Sequence, residues 1–204
     1  PVPEITAPSA STRWRVDDPI AYAGGATDPE DGTLPDSALE WELVIQHCPS
    51  NCHTHTVLAW PGTQTPPLAA PDHEYPSYLE LRLTATDSGG TSATTSIDLL
   101  PETVDVTFDS VPAGAKLTVG PTGEIAPFTR TVIIGSANSI SAESQVIGGT
   151  PYRFSGWSDG GSATHNIVAP PSPMTFTATF VPNAPPLASA TATPAAGESP
   201  LLVS

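Results

Sequence analysis

Leu79-Glu80-Leu81-Arg82-Leu83-Thr84-Ala85-Thr86 decides the fold of this chain. Every odd position is apolar and every even position polar. An extended backbone sends successive side chains to opposite faces, so this run is a strand with one buried and one wet side. The same two-residue period recurs on both sides of it. Trp41, Leu43 and Ile45 alternate with Glu42, Val44 and Gln46. Val104, Val106 and Phe108 alternate with Asp105, Thr107 and Asp109, and Met174, Phe176, Ala178 and Phe180 with Thr175, Thr177 and Thr179. Turn residues punctuate the runs: Asp31-Gly32, Ser88-Gly89-Gly90, Pro112-Ala113-Gly114, Gly148-Gly149 and Asp159-Gly160-Gly161. No window of a dozen residues carries a 3.6-residue period. The expected class is all-β, as tandem β-sandwiches.

Composition narrows the partners. Among 204 residues, 21 Asp and Glu face six Lys and Arg, a formal charge of −15. Such a surface repels phosphate, which argues against nucleic acid and anionic membranes. No apolar run approaches eighteen residues, so no membrane span is expected. With 25 Pro, 16 Gly and only 13% charged residues, helix bundles and coiled coils are disfavoured.

Three regions follow. Residues 1–101 hold both cysteines and four of the five histidines and form a first sandwich. Residues 102–182 form a second, with Leu99-Leu100-Pro101-Glu102 as a short junction that restricts hinge motion. Residues 183–204, rich in Thr, Ala and Pro, are a linker or the first strand of a further domain. The start at Pro1-Val2-Pro3 reads as the interior of a longer secreted polypeptide.

Chemistry-bearing residues gather in the first region. Cys48 and Cys52, four positions apart, are expected to form a disulfide in an oxidising compartment and to shape the loop between His47 and His53. His47, His53, His55 and His73 lie close in sequence. An extended His53-Thr54-His55 points both imidazoles to one side, which suits Zn²⁺ or Cu²⁺, with Asp72 or Glu74 available to complete a shell. A polar network at one end of the sandwich, or a ligand site, uses the same residues. Asp28, Glu30 and Asp31, with Asp87 near the same end, offer hard oxygens to Ca²⁺, or else form an ordinary acidic turn. Trp60, Tyr75 and Tyr78 sit among prolines and glycines, where exposed rings stack on sugar faces. Trp41 and Trp157 read as core. No nucleophile elbow, free thiolate or zinc-protease helix is present in the sequence, so no enzymatic activity and no organic cofactor are expected.

Residues 20–100 resemble a PKD-type, immunoglobulin-like domain. The likeness is carried by Ile20 to Gly32, Leu39-Glu40-Trp41 and Leu81-Arg82-Leu83-Thr84-Ala85-Thr86-Asp87-Ser88-Gly89-Gly90. His47-Cys48, Cys52-His53-Thr54-His55 and Pro71-Asp72-His73-Glu74-Tyr75-Pro76 resemble more narrowly an accessory module that follows the catalytic propeller of some secreted bacterial glucose/sorbosone-type dehydrogenases. Residues 103–181 resemble a second bacterial β-rich repeat through Val111-Pro112-Ala113-Gly114-Ala115, Tyr152 to Gly161 and Phe176-Thr177-Ala178-Thr179-Phe180. Residues 183–204 resemble the opening strand of another PKD domain.

The resemblance implies a secreted or cell-surface bacterial setting and a non-catalytic accessory module. Its role there is polysaccharide or cell-surface attachment and spacing of other domains of the same polypeptide. Two further readings stay open. One is a structural repeat of an extracellular fibre, adhesin or stalk, self-associating through a C-terminal strand at Ser199–Ser204. The other is a metal-binding redox accessory domain.

Overall fold

The computed structural model describes residues 1–47 and 53–183. Cys48 and Cys52, with the disulfide expected between them, lie outside the described residues, as does the expected strand within 184–204. Seventeen strands and one short 3₁₀ turn, Asp36–Ala38, make up the described residues, with no α-helix among them. The chain is all-β, in paired sheets.

Eight strands precede Glu102. They are β1 (Val2–Ala7), β2 (Arg13–Trp14), β3 (Ala23–Asp28), β4 (Gly32–Thr33), β5 (Leu39–His47), β6 (His53–Pro61), β7 (Ser77–Thr86) and β8 (Ser92–Pro101). One sheet has the order β1-β3-β4, the other β2-β8-β7-β5-β6. The alternation in β7 does what it dictates: Leu79, Leu81, Leu83 and Ala85 are fully buried, while Glu80, Arg82 and Thr84 face outward. From β5, Trp41, Leu43 and Ile45 join the same core. Val44 departs from the pattern and is only 1% exposed although it alternates with the core residues. It sits at a register shift between β5 and β6, on a strand flanked on both sides.

On the outer face of this sheet Arg82 lies between Glu42, at 3.2 Å, and Glu80, at 2.7 Å. The Arg82 hydrogen bond outweighs burial and, with Gln46 and Ser96, holds the Glu80 carboxyl down to about 2. A folded-state value below the ordinary 4.5 means stability that is present above that pH and lost as pH falls towards 2. Arg82 is 32% and Glu80 14% exposed, so solvent screens part of the interaction. Arg82→Gln is expected to cost about 1 kcal/mol at neutral pH. Urea titrations of both proteins at pH 7 and pH 3 check this, and the gap between them should narrow at the lower pH.

Nine strands follow Glu102. They are β9 (Thr103–Val111), β10 (Lys116–Val119), β11 (Thr122–Ile125), β12 (Phe128–Ile133), β13 (Ala137–Ser141), β14 (Gln145–Ile147), β15 (Thr150–Trp157), β16 (Thr164–Val168) and β17 (Met174–Pro182). They form sheets of order β12-β9-β17-β15-β14 and β11-β10-β13-β16. β17 runs parallel to β9 and the other pairs are antiparallel. Phe108, Phe176, Ala178, Phe180, Ile140, Leu117 and Trp157 fill a second core.

The two cores meet through a continuous set of bonds. β2 pairs in parallel with the end of β8, and the Glu102 N–H donates to the Trp14 carbonyl at 2.7 Å. The Ile134 N–H donates to the Glu102 carbonyl at 3.0 Å, and the Val16 N–H to the Ile134 carbonyl at 3.1 Å. Ile133, from β12, is buried in the first core rather than the second. The Arg15 guanidinium donates to Glu102, and the Asp72 carboxylate accepts the Ala137 N–H at 3.1 and 3.2 Å.

Candidate functional site: a histidine cluster on an edge strand

β6 is the edge of its sheet, paired with β5 alone. Between them, Trp41 faces Trp60 and Leu43 faces Leu58, but Val44 faces Thr56, leaving Val57 as an extra residue. A bulge of this kind reverses the parity of the strand beyond it. Even-numbered Trp60 and Leu58 share a face with Leu43. Past the bulge, odd-numbered His55 and His53 take that face, opposite Ile45 and His47. Cross-strand partners project to the same side of a sheet. The bulge therefore puts three imidazoles together at the end of the inner face, where β6 is exposed.

The geometry is close. His47, His53 and His55 each offer a ring nitrogen, and the three nitrogens lie within 4.8 Å of one another. The His47 and His53 rings stack at 4.5 Å between centroids and 3° between planes, and His55 stands edge-on to both. His73 arrives from the loop before β7, with its Nε2 3.0 Å from His47 Nε2 and its Nδ1 3.3 Å from the Glu74 carbonyl. Burial first, then the charges of His73 and His53, pushes the His47 imidazole below its ordinary value, against an opposing pull from Glu74. Three of the four histidines bring ring nitrogens together and the fourth adjoins them. Asp72 instead bonds to the second sandwich.

The acidic turn is wired differently. Asp28 is buried, and its Oδ1 accepts the Glu30 and Asp31 N–H groups at 2.9 and 3.2 Å. Asp31 accepts both the backbone N–H and the hydroxyl of Ser88 at 2.8 Å, and Asp87 accepts the Thr91 N–H. These carboxylates close and stitch two turns at one end of the sandwich. Among the described residues, His47, His53 and His55 are the one group of three or more such side chains with metal-ligand spacing.

The aromatic set divides. Trp60, expected in an exposed loop, lies within β6 and is 3% exposed. Its ring stacks on Trp41 at 6.3 Å and Tyr22 stands edge-on to both, so Trp60 is core and not a sugar platform. The prolines after it suggested a loop, but its partner in the ladder is a core tryptophan. Tyr75 is 45% exposed and Tyr78 half-buried. Both line a groove of about 360 Å³ with Arg13, Pro76, Ser77, Leu100, Pro101 and Thr103. Among the described residues no carboxylate lies within 4.0 Å of Arg13, whose guanidinium reaches only the Ala10 and Thr12 carbonyls. Burial and the nearby Asp98 and Glu80 push the Tyr78 phenol up, keeping its O–H a donor.

One arrangement escaped the sequence reading. His165 contacts the Asp159 carboxylate through Nε2 and the Ser162 carbonyl through Nδ1, both at 2.8 Å. Both partners offer acceptor oxygens to the ring. The pair buttresses the turn after β15, and a Cβ on Gly161 would strike the His165 ring. A Ser, Asp and His within eight residues was the available signal, but the distances tie the histidine to structure.

No protein-family model, curated protein or solved structure matches this chain. No helix among the described residues is long and apolar enough to cross a membrane.

Proposed function

We propose that this chain is a non-catalytic accessory module of a larger secreted protein, holding what lies on either side of it at a fixed distance and orientation. The observation that carries this reading is the joint between the sandwiches. A flexible linker offers no backbone ladder, whereas here Trp14, Glu102, Ile134 and Val16 bond in series and Ile133 crosses into the neighbouring core. Each bond contributes about 1 kcal/mol, and burial of a whole isoleucine about 2 kcal/mol more. Together they favour one relative orientation over an ensemble.

Backbone ¹⁵N relaxation tests this directly. The expected result is a single rotational correlation time shared by β1–β8 and β9–β17. Two separate times, each near that of a domain of about 100 residues, would sink the spacer reading.

A specific observation favours attachment to polysaccharide as a second part of the same role. The groove beside the joint combines an exposed Tyr75 ring, the Tyr78 phenol and an Arg13 guanidinium with no ion-pair partner among the described residues, the mixture of apolar face and hydrogen-bond donors that sugars require. In affinity electrophoresis against a panel of polysaccharides, at least one should retard the chain, and Tyr75→Ala should abolish the retardation. Migration unchanged by every polysaccharide would remove attachment and leave spacing alone.

A further inference from the structure

The histidine cluster lies apart from the joint and is not used by the spacer reading. Three explanations compete for it: a packing motif, a hydrogen-bonded network, or a metal site. Packing explains it poorly, because His53 and His55 are exposed on an edge strand where they cover little. A network explains the contact between His47 and His73. It does not explain why a bulge delivers two further imidazoles to the same place.

We propose that His47, His53 and His55 together bind one divalent transition-metal ion of the Zn²⁺/Cu²⁺ class, with His73 orienting His47. Tetrahedral zinc holds its nitrogens at about 2.0–2.1 Å, which places two ligand nitrogens about 3.3 Å apart. The three nitrogens already lie within 4.8 Å of one another, at most about 1.5 Å beyond that spacing. Rotation is required, since an ion lies in the plane of each imidazole it binds, while the His47 and His53 rings are stacked. Both His53 and His55 are exposed on the edge strand.

The scaffold suits the task. His47 and His53 are cross-strand partners in one ladder, and His55 is two residues along the same strand, so backbone hydrogen bonds fix all three Cα positions. His73 stands where second-shell partners of metal-bound histidines stand, its Nε2 fixing the ring orientation and tautomer of His47. Imidazole-only sets select borderline cations such as Zn²⁺ and Cu²⁺ over Ca²⁺ and Mg²⁺, which prefer oxygen. The chain's charge of −15 raises the local concentration of any dication. Three protein ligands leave a position open to water at an exposed edge.

The test uses the full chain, stripped with EDTA, dialysed, and titrated with ZnCl₂ and with CuCl₂ by calorimetry at pH 7.5. One ion per chain is expected, with Cu²⁺ bound more tightly than Zn²⁺. The double variant H53A/H55A should weaken binding at least about 100-fold and His73→Gln about 10–100-fold, while His165→Gln leaves it unchanged. A readout on the unaltered chain guards against misfolded variants: electron paramagnetic resonance of the Cu²⁺ form should show hyperfine splitting from imidazole nitrogens. The proposal is overturned by no uptake of either ion, by H53A/H55A binding within threefold of the parent, or by a spectrum without nitrogen coupling. Loss of binding in the double variant C48S/C52S would overturn it too, by assigning the ion to thiolates.

Discussion

Trp14→Ala should destabilise the chain by about 3–5 kcal/mol and uncouple the two sandwiches. β2 is only two residues long, so its backbone bonds alone cannot hold it against the end of β8. The indole does so. It is 2% exposed within the first core, to which Ile133 is contributed from beyond the joint. Its Nε1–H donates to the Leu99 carbonyl at 2.9 Å. Truncation leaves a large cavity and strands that carbonyl without its partner, two costs that add. The backbone of Trp14 also accepts the Glu102 N–H, so a mobile β2 loosens the first bond of the series across the joint. Denaturant unfolding should show the midpoint falling and one transition becoming two, and relaxation should report two correlation times. Trp14→Phe, which keeps an aromatic ring but loses the N–H and part of the buried volume, should stay coupled at a cost of about 1–3 kcal/mol. An alanine variant that melts in a single transition within 1 kcal/mol of the parent would show that the joint does not depend on this ring.

How much of this was readable beforehand varies from residue to residue. The alternation of Leu79 to Ala85 and of Val104 to Phe108 was sufficient for strands and their buried faces, because a two-residue period is local information. Met174 shows its limit: it continues the apolar series of Phe176, Ala178 and Phe180, yet it is half-exposed at the strand's start, where the core ends. Trp60 failed for a related reason. Prolines and glycines around it are a local loop signal, and only pairing with Trp41 across the sheet overrides it.

The histidines fall between these cases. A two-residue spacing puts His53 and His55 on one side, which the sequence states. Which side that is depends on Val57 being bulged, and a bulge is a property of two strands in register. The contact from His73 is likewise set by a loop whose course no periodicity encodes. Arg13 went unnoticed because β2 is too short to give a pattern, although it brings the guanidinium to the groove of Tyr75 and Tyr78.

Adjacent glycines in β3 provide a comparison in which chemistry is constant and only position differs. Gly24→Ala should cost about 3 kcal/mol, whereas Gly25→Ala should be neutral or stabilise by up to about 0.5 kcal/mol. A Cβ on Gly24 would come within 2.5 Å of the Glu4 carbonyl oxygen, 2.9 Å of the Trp41 ring and 3.1 Å of Leu83. The first of these is backbone, held by the ladder between β1 and β3, and the others belong to the fully packed core. Relief therefore requires β1 to shift away from β3, or the three-stranded sheet to lift from Trp41 and Leu83. Overpacking commonly costs 1–3 kcal/mol, and a clash with backbone belongs at the upper end. A Cβ on Gly25 would point into open space and meet nothing within 4 Å. There alanine acts mainly by restricting the unfolded chain. Thermal unfolding of the two variants side by side should separate them by several degrees. Equal melting temperatures would mean that β3 does not approach β1 and the core as closely as these distances state.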